Sequence, residues 1–422
     1  MINHKSIEAF EKSRFGPFYK PLYDSYCFSR IPDTIRSLLG LTAAHRLPSE
    51  VGTETEYDTV IFILLDGFGW NLFEKYKNRY SFLRQFVEKG QAHLISSMFP
   101  STTCGHITCL HTGLSGGLSG LYEWYVYDPI VQAPIIPMRF SRCFDKKPNT
   151  LLKEGFSPNT LFDFTTFYEM LHAENVSSYV LQPKDVSHSP YSNALQKQAK
   201  NIAYKTLREG LKKLFKAVTE TQAQKSYFFF YYPEIDSYSH SHGPGSKVLE
   251  KELDHCFLQL ELFFEQLQNC TSRCALLVGA DHGLTNCDPE KRVFINTLVP
   301  DLAEYIEQSP NGTPKVPCGS SRDLFLHIRP ELLLHAKKLI IEALPNIADV
   351  YLTQELIDNG LFGPISQRFL DRVGNLVILP HAPYTVWWQD PRLPSSDFYG
   401  HHGGLSHDEL AIPLLFLDLK NS

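Results

Sequence analysis

Five short polar clusters carry side chains able to do chemistry. They are Asp66 in LLDG, Thr102 and Thr103 in FPSTTCGH, Asp236, His240 and His242 in PEIDSYSHSHGPG, Asp281-His282 in ADHG, and His401 and His402 in GHHGGLSHDE. The first four each follow an apolar run, and the fifth precedes one. Brought together, they supply three carboxylates and three imidazoles. That is a ligand set for two divalent cations of the zinc type, which accept nitrogen and oxygen donors. Three buried carboxylates alone would repel one another, and two dications would offset that charge. Paired dications are a recurring device for phosphoryl transfer, one activating the nucleophile and both stabilising oxygens of an in-line displacement. A hydroxyl at a helix N-terminus is well placed to attack phosphorus, because the backbone N–H groups there favour phosphate. A metal on that hydroxyl would lower its pKa and make it a nucleophile near neutral pH.

Each cluster has a plainer reading. Asp66 could close a strand with an Asp-Gly turn. PSTT is an ordinary helix cap. Asp236 and His240, four residues apart, could form a surface pair. Gly-rich turns such as HHGG often carry His. Only ADHG resists, since two adjacent ionisable residues at a buried strand end need a reason. All five in this order favour the two-metal reading over five coincidences.

The surrounding chain predicts elements that could bring them together. YDTVIFILLDG (57–67) is a near-continuous, β-branched apolar run, the pattern of a parallel strand covered on both faces. Further strands are expected at 91–100, 176–182, 226–233, 272–283 and 409–418. Helices are expected over 33–40, 71–90 (one stretch or two), 105–114, 192–220 and 246–268. Strands alternating with helices predict an α/β fold built on a mostly parallel central sheet. Ligands bind beyond the carboxyl ends of such strands, and in a parallel sheet the clusters converge on that edge. Residues 290–395 lose the rhythm, with helices at 332–344 and 353–359 and strands at 349–352 and 375–379. The expected organisation is an N-terminal wrapping segment (1–55), a catalytic core (56–289 and 396–422) and an inserted cap subdomain (290–395).

Composition narrows the function classes. Hydrophobic residues make up 43% of 422, so a large core can be buried and global disorder is ruled out. The net charge of −6 argues against a protein that coats nucleic acid. It leaves room for a small phosphate ester, whose charge a metal would balance. The nine cysteines are odd in number and lack a CxxC pair, which reads as reduced thiols in a cytosol-like compartment. No secretory h-region and no bilayer-length apolar run is visible, so a cytoplasmic location is expected. A protein exported without a signal would look the same.

The order Asp at a strand end, Thr after FPS, DxxxHxxGP, DHG and HGG resembles the alkaline phosphatase superfamily. Within it the chain looks like the nucleotide pyrophosphatase/phosphodiesterase, or type I phosphodiesterase, family. The resemblance covers roughly 57–285 and 398–418. It implies an alkaline-phosphatase-like fold and a two-zinc hydrolase that cleaves phosphodiester or pyrophosphate bonds of a nucleotide-like substrate. It implies Thr103, three residues after Pro100, as the nucleophile in preference to Thr102 and Ser101. It implies one zinc on Asp66, Thr103, Asp281 and His282, and the other on Asp236, His240 and His402. His240 is chosen over His242 because Gly243-Pro244 lies three residues on, and His402 over His401 because it directly precedes Gly. The implied course is a covalent phosphothreonine, then hydrolysis.

Two positions depart from the family pattern. Cys104 stands where an aromatic residue often follows the nucleophile. The stretch LYEWYVYD (121–128) lacks the Asn that binds a phosphate oxygen. Glu123 is the candidate for that place, Trp124 or Tyr125 for a stacking surface, and Arg322 for a substrate contact from the cap. The alternatives are a phosphomonoesterase or phosphonate hydrolase of the same superfamily, or a binding module that keeps the fold without turnover. Filled ligand positions argue against the last. A sulfatase would need a CxPxR-type motif, which CGHITC is not. A structural zinc site would be richer in Cys and have no nucleophile.

Overall fold

The computed structural model describes residues 1–52, 55–221, 224–268, 273–393 and 397–419. The strands that matter here are β1 (Thr59–Leu65), β2 (Gln91–Ser96), β3 (Ser177–Pro183), β4 (Ala199–Tyr204), β5 (Ser226–Tyr232), β6 (Cys274–Gly279), β7 (Cys318–Ser320), β8 (Asp323–Leu326), β9 (Ala348–Leu352), β10 (Leu376–Pro380) and β11 (Ala411–Asp418). Seven of them form one twisted α/β sheet in the order β2-β11-β6-β1-β5-β3-β4. Every residue of β1, β5 and β6 is buried. That is why these segments read as unbroken apolar runs rather than alternating ones.

One strand breaks the parallel rule, and the site depends on it. β11 runs antiparallel to both its neighbours, β6 and β2. The sequence argument placed 400–409 at the carboxyl edge on the assumption of a parallel sheet. A parallel last strand would have sent the segment before it to the opposite edge. Reversal of β11 is what puts the start of that strand, and the HHGG turn, beside the ends of β1, β5 and β6.

A second difference lies in 192–220, expected as one helical region. It is a short helix (Pro190–Leu195), the edge strand β4 and a helix (Leu207–Glu220). β4 pairs in parallel with β3 alone, and its AKNIAY stretch is only partly buried over most of its length. An edge strand with Lys turned to solvent lacks the apolar run that reveals a central one. Among its described residues the N-terminal stretch holds two α-helices, not one. The additional one, His4–Glu11, is capped by the Asn3 side chain. Bridges Ile2–Ala92 and Cys27–Ser96 lay this stretch along β2.

Between β6 and β11 sits a smaller sheet, ordered β7-β8-β10-β9 and wholly antiparallel. Its strands alternate by face. Leu324, Leu326, Leu376 and Ile378 belong to a separate small core, while Phe325, Val377 and Leu379 pack into the main one. The eight described cysteines are buried and form no disulfide among themselves, and Cys270 lies outside the described residues. Among the described residues no helix is long and apolar enough to cross a membrane.

Candidate active site

The seven expected residues come from five separate segments and meet at the carboxyl edge of the sheet. Asp66 is the residue after β1, and Asp281-His282 lie just beyond β6. Thr103 is the first residue of helix α1 (Thr103–Thr112), a fully buried helix. Asp236 and His240 share one face of helix α2 (Glu234–His242), a turn apart. His402 sits in the turn ahead of β11. Gly67 permits the close approach. It sits at φ +73°, and a Cβ there would come within 3.0 Å of the Asp236 Cα.

Two half-sites share an edge. In one, Thr103 Oγ1 lies 3.1 Å from His282 Nε2 and 3.5 Å from each Asp66 oxygen. His282 Nε2 is 3.5 Å from Asp66 and 3.4 Å from Asp281. In the other, Asp236 Oδ1 faces His240 Nε2 at 3.4 Å and His402 Nε2 at 3.8 Å. The rings of His282 and His402 stack at 3.7 Å, joining the two. Two ligand groups emerge, Asp236, His240 and His402, and Asp66, Asp236 and His282.

The protonation pattern suits cations. All three imidazoles have a backbone carbonyl at Nδ1: Gly283 for His282, Gly400 for His240 and Ser101 for His402. Each Nδ1 therefore carries the hydrogen, which leaves the Nε2 lone pair free, and all three Nε2 atoms aim at carboxylates. Such carbonyl contacts fix the tautomer of metal-binding histidines. Burial holds His282 and His402 well below the usual imidazole pKa, so both are neutral donors. Burial, then the charges of Asp281 and Asp236, push Asp66 well above the usual carboxylate range. Asp236 rises to about 6, burial again the main cause. Asp236 Oδ1 and Asp281 Oδ2 are buried and make no hydrogen bond. Orphaned, mutually repelling carboxylate oxygens are what a dication would satisfy.

The second sheet grips the His402 turn. Arg322, fully buried, pairs with Glu409 through Nε and Nη2, both at 3.0 Å, and donates to the Tyr384 carbonyl. Glu409 in turn accepts from Gly404 N. Ser320 Oγ lies 3.3 Å from the His402 carbonyl, and Ser321 Oγ 3.1 Å from His401 Nδ1. This corrects one expectation. Arg322 is spent on an internal ion pair with Glu409 and does not line the cavity over the site. His401 faces Ser321 rather than the carboxylates. His242 stacks on Tyr238.

A cavity of about 870 Å³ opens over the site. Thr103, Glu123, Trp124 and Tyr125 line it from the core, and Phe294, Trp387, Trp388 and Phe398 from the segment before β11. The aromatic residues of that segment were invisible to sequence reasoning, because they lie in or beside short elements without periodicity. Tyr231 was missed too. Its hydroxyl donates to Asp66 at 2.5 Å, yet in SYFFFYY it looks like any strand residue. His106 was another, its ring bonded to Ser97 Oγ, Met98 N and Thr102 O beneath the Thr103 loop.

Residues 60–405 match the family model "type I phosphodiesterase / nucleotide pyrophosphatase". Among curated proteins no sequence matches significantly. Among solved structures, the chain is similar to murine ectonucleotide pyrophosphatase/phosphodiesterase 5. One such structure is an inactive threonine-to-alanine variant in complex with AMP. The TM-score is 0.62 at 16% identity, covering 84% of this chain and 87% of that one. The human ectonucleotide pyrophosphatase/phosphodiesterase 5 gives 0.61 at 14%, covering 85% and 87%. At these identities the likeness speaks for the fold.

Proposed function

The chain belongs to the type I phosphodiesterase / nucleotide pyrophosphatase family, and on that premise we propose that it hydrolyses a phosphodiester or pyrophosphate bond of a nucleotide-like substrate with Thr103 as nucleophile. Two divalent cations, expected to be zinc, would be held by Asp66, Thr103, Asp281 and His282 and by Asp236, His240 and His402. Bound there, they would lower the pKa of the Thr103 hydroxyl and neutralise charge on the phosphoryl oxygens. The observation that supports this most is the set of three imidazole Nε2 atoms turned on three aspartates, two of them buried, around one threonine hydroxyl.

The chain's own groups do the rest. The hydroxyl gives its proton to solvent, its oxygen bonds to phosphorus, and the bond to the leaving oxygen breaks. Water then cleaves the phosphothreonine ester. The α1 N-terminus presents backbone N–H groups to the phosphate. The aromatic walls and the 870 Å³ volume suit a planar base better than a bare phosphate. The similar murine structure, with AMP bound and a threonine replaced in its inactive form, points the same way.

Bis(p-nitrophenyl) phosphate beside p-nitrophenyl phosphate, with zinc and after chelation, tests this. Zinc-dependent turnover with the diester ahead is expected. A preferred monoester would move the protein to the phosphatase branch. No turnover of either by zinc-loaded protein would contradict the proposal.

A further inference from the structure

Helix α1 starts without the side-chain cap that commonly fixes a helix end, since the Thr102 hydroxyl makes no such bond. The Thr102 carbonyl is gripped instead by His106, one turn into the helix and fully buried. His106 Nδ1 lies 2.7 Å from that carbonyl, which also accepts from the His106 backbone N–H at 3.3 Å. Across the ring, Nε2 lies 2.9 Å from the Met98 backbone nitrogen and 2.7 Å from Ser97 Oγ. A backbone N–H can only donate, so Nε2 is bare and Nδ1 carries the hydrogen. Ser97, the residue after β2, donates its hydroxyl to the Asp281 carbonyl at 2.6 Å. Phe28 packs edge-on against the imidazole, with 4.6 Å between the ring centroids. The imidazole does not line the cavity, so it meets no substrate.

We propose that His106 is a positioning residue that aims the nucleophile: by tying the Thr102 carbonyl to Ser97 and Met98, it fixes the Thr103 hydroxyl relative to Asp281-His282. This rests on the function proposed above and adds the part that orients its nucleophile. Thr103 Oγ1 has no short bond to pull it into place, with contacts of 3.1 Å to His282 and 3.5 Å to Asp66. Its direction therefore follows the backbone. The tie acts at both ends of the gap. Thr102 immediately precedes Thr103, and the Asp281 carbonyl held by Ser97 immediately precedes His282. One buried ring thus sets the spacing between the nucleophile turn and the end of β6. Misplacement of a reacting group by about 1 Å can cost on the order of 100-fold in rate. Burial also pushes the imidazole down to about 4, so it is neutral at neutral pH.

Three substitutions separate the two ends of the ring. Asparagine places an amide N–H near the position of Nδ1, glutamine places its amide near that of Nε2, and leucine keeps bulk with neither. In zinc-loaded protein, His106→Leu is expected to lower kcat for bis(p-nitrophenyl) phosphate about 100-fold, with KM within about threefold and zinc content unchanged. His106→Asn, which keeps the grip on Thr102, should stay within about tenfold of wild type. His106→Gln, which lets go of Thr102, should be nearly as slow as His106→Leu, and it carries the same expectation should that variant fail to fold. Orthovanadate affinity gives a readout that needs no turnover. It should weaken about tenfold in His106→Leu, but less than about twofold when the same change is made in Thr103→Ala, because the ring acts through Thr103. Nitrogen-15 spectra of histidine-labelled wild type should show His106 as the neutral Nδ1–H tautomer at pH 7. If wild type binds vanadate but cleaves no diester, the proposed reaction fails, and vanadate with the tautomer decides the role of His106. An Nε2–H tautomer, His106→Leu within about threefold of wild type in both readouts, or His106→Asn as slow as His106→Leu would each overturn the proposal. So would an equal loss of vanadate affinity in the Thr103→Ala background, or zinc content falling with the rate. Wild type that neither cleaves the diester nor binds vanadate would overturn both this proposal and the reaction it rests on.

Discussion

Replacing Thr103 with alanine should cost on the order of 10³-fold or more in kcat, with the fold and the metal sites retained. No neighbour can take over. Ser101 Oγ donates to the Gly404 carbonyl and accepts from Gly403 N, so it is tied into the His402 turn. Thr102 is the residue before α1, with its side chain directed to Glu123. Only Thr103 has its hydroxyl between Asp66 and His282. The stability cost should stay within about 1 kcal/mol, since one small side chain at a helix start is lost. Thr103→Ser, which keeps the oxygen, should restore much of the rate. Single-turnover assays on zinc-loaded variants, with melting curves beside them, check this. Activity of Thr103→Ala within tenfold of wild type would remove Thr103 from the chemistry.

The largest stability effect is expected at Arg322. Arg322→Met should destabilise the protein by about 3–5 kcal/mol, because it strands the buried Glu409 carboxylate. Glu409 has other partners, Gly404 N and the Ser406 hydroxyl, but none carries a positive charge. Arg322→Met combined with Glu409→Leu should recover a good part of that loss, since a buried pair can often be replaced by apolar groups at little cost. Denaturant unfolding of the two single variants and the double variant measures it. A loss below about 1 kcal/mol in Arg322→Met would show that the pair does not hold the second sheet to the β11 turn.

Arg322 also shows where sequence reasoning stops. A guanidinium in CGSSRD beside an active site looks like a ligand for phosphate. Its partner, Glu409, lies 87 residues further on, and only the packing of two sheets reveals the pair. Asp66 and Asp281-His282 were legible for the opposite reason. Each follows a strand buried on both faces, so the polar residue stands out against the run before it. His402 was legible only in part. Its motif is local, but its arrival at the site depends on the reversed β11, a long-range fact that the residue pattern does not carry. β4 was hidden in an apparent helix because an edge strand can be half polar. Tyr231, the Asp66 partner, is indistinguishable in sequence from the aromatic residues beside it.

The central claim is that these residues hold two cations at one threonine. Anomalous diffraction at the zinc edge from crystals of zinc-loaded protein tests it most directly. Two peaks are expected, one among Asp66, Thr103, Asp281 and His282 and the other among Asp236, His240 and His402. A single peak at full loading, or peaks elsewhere, would contradict it.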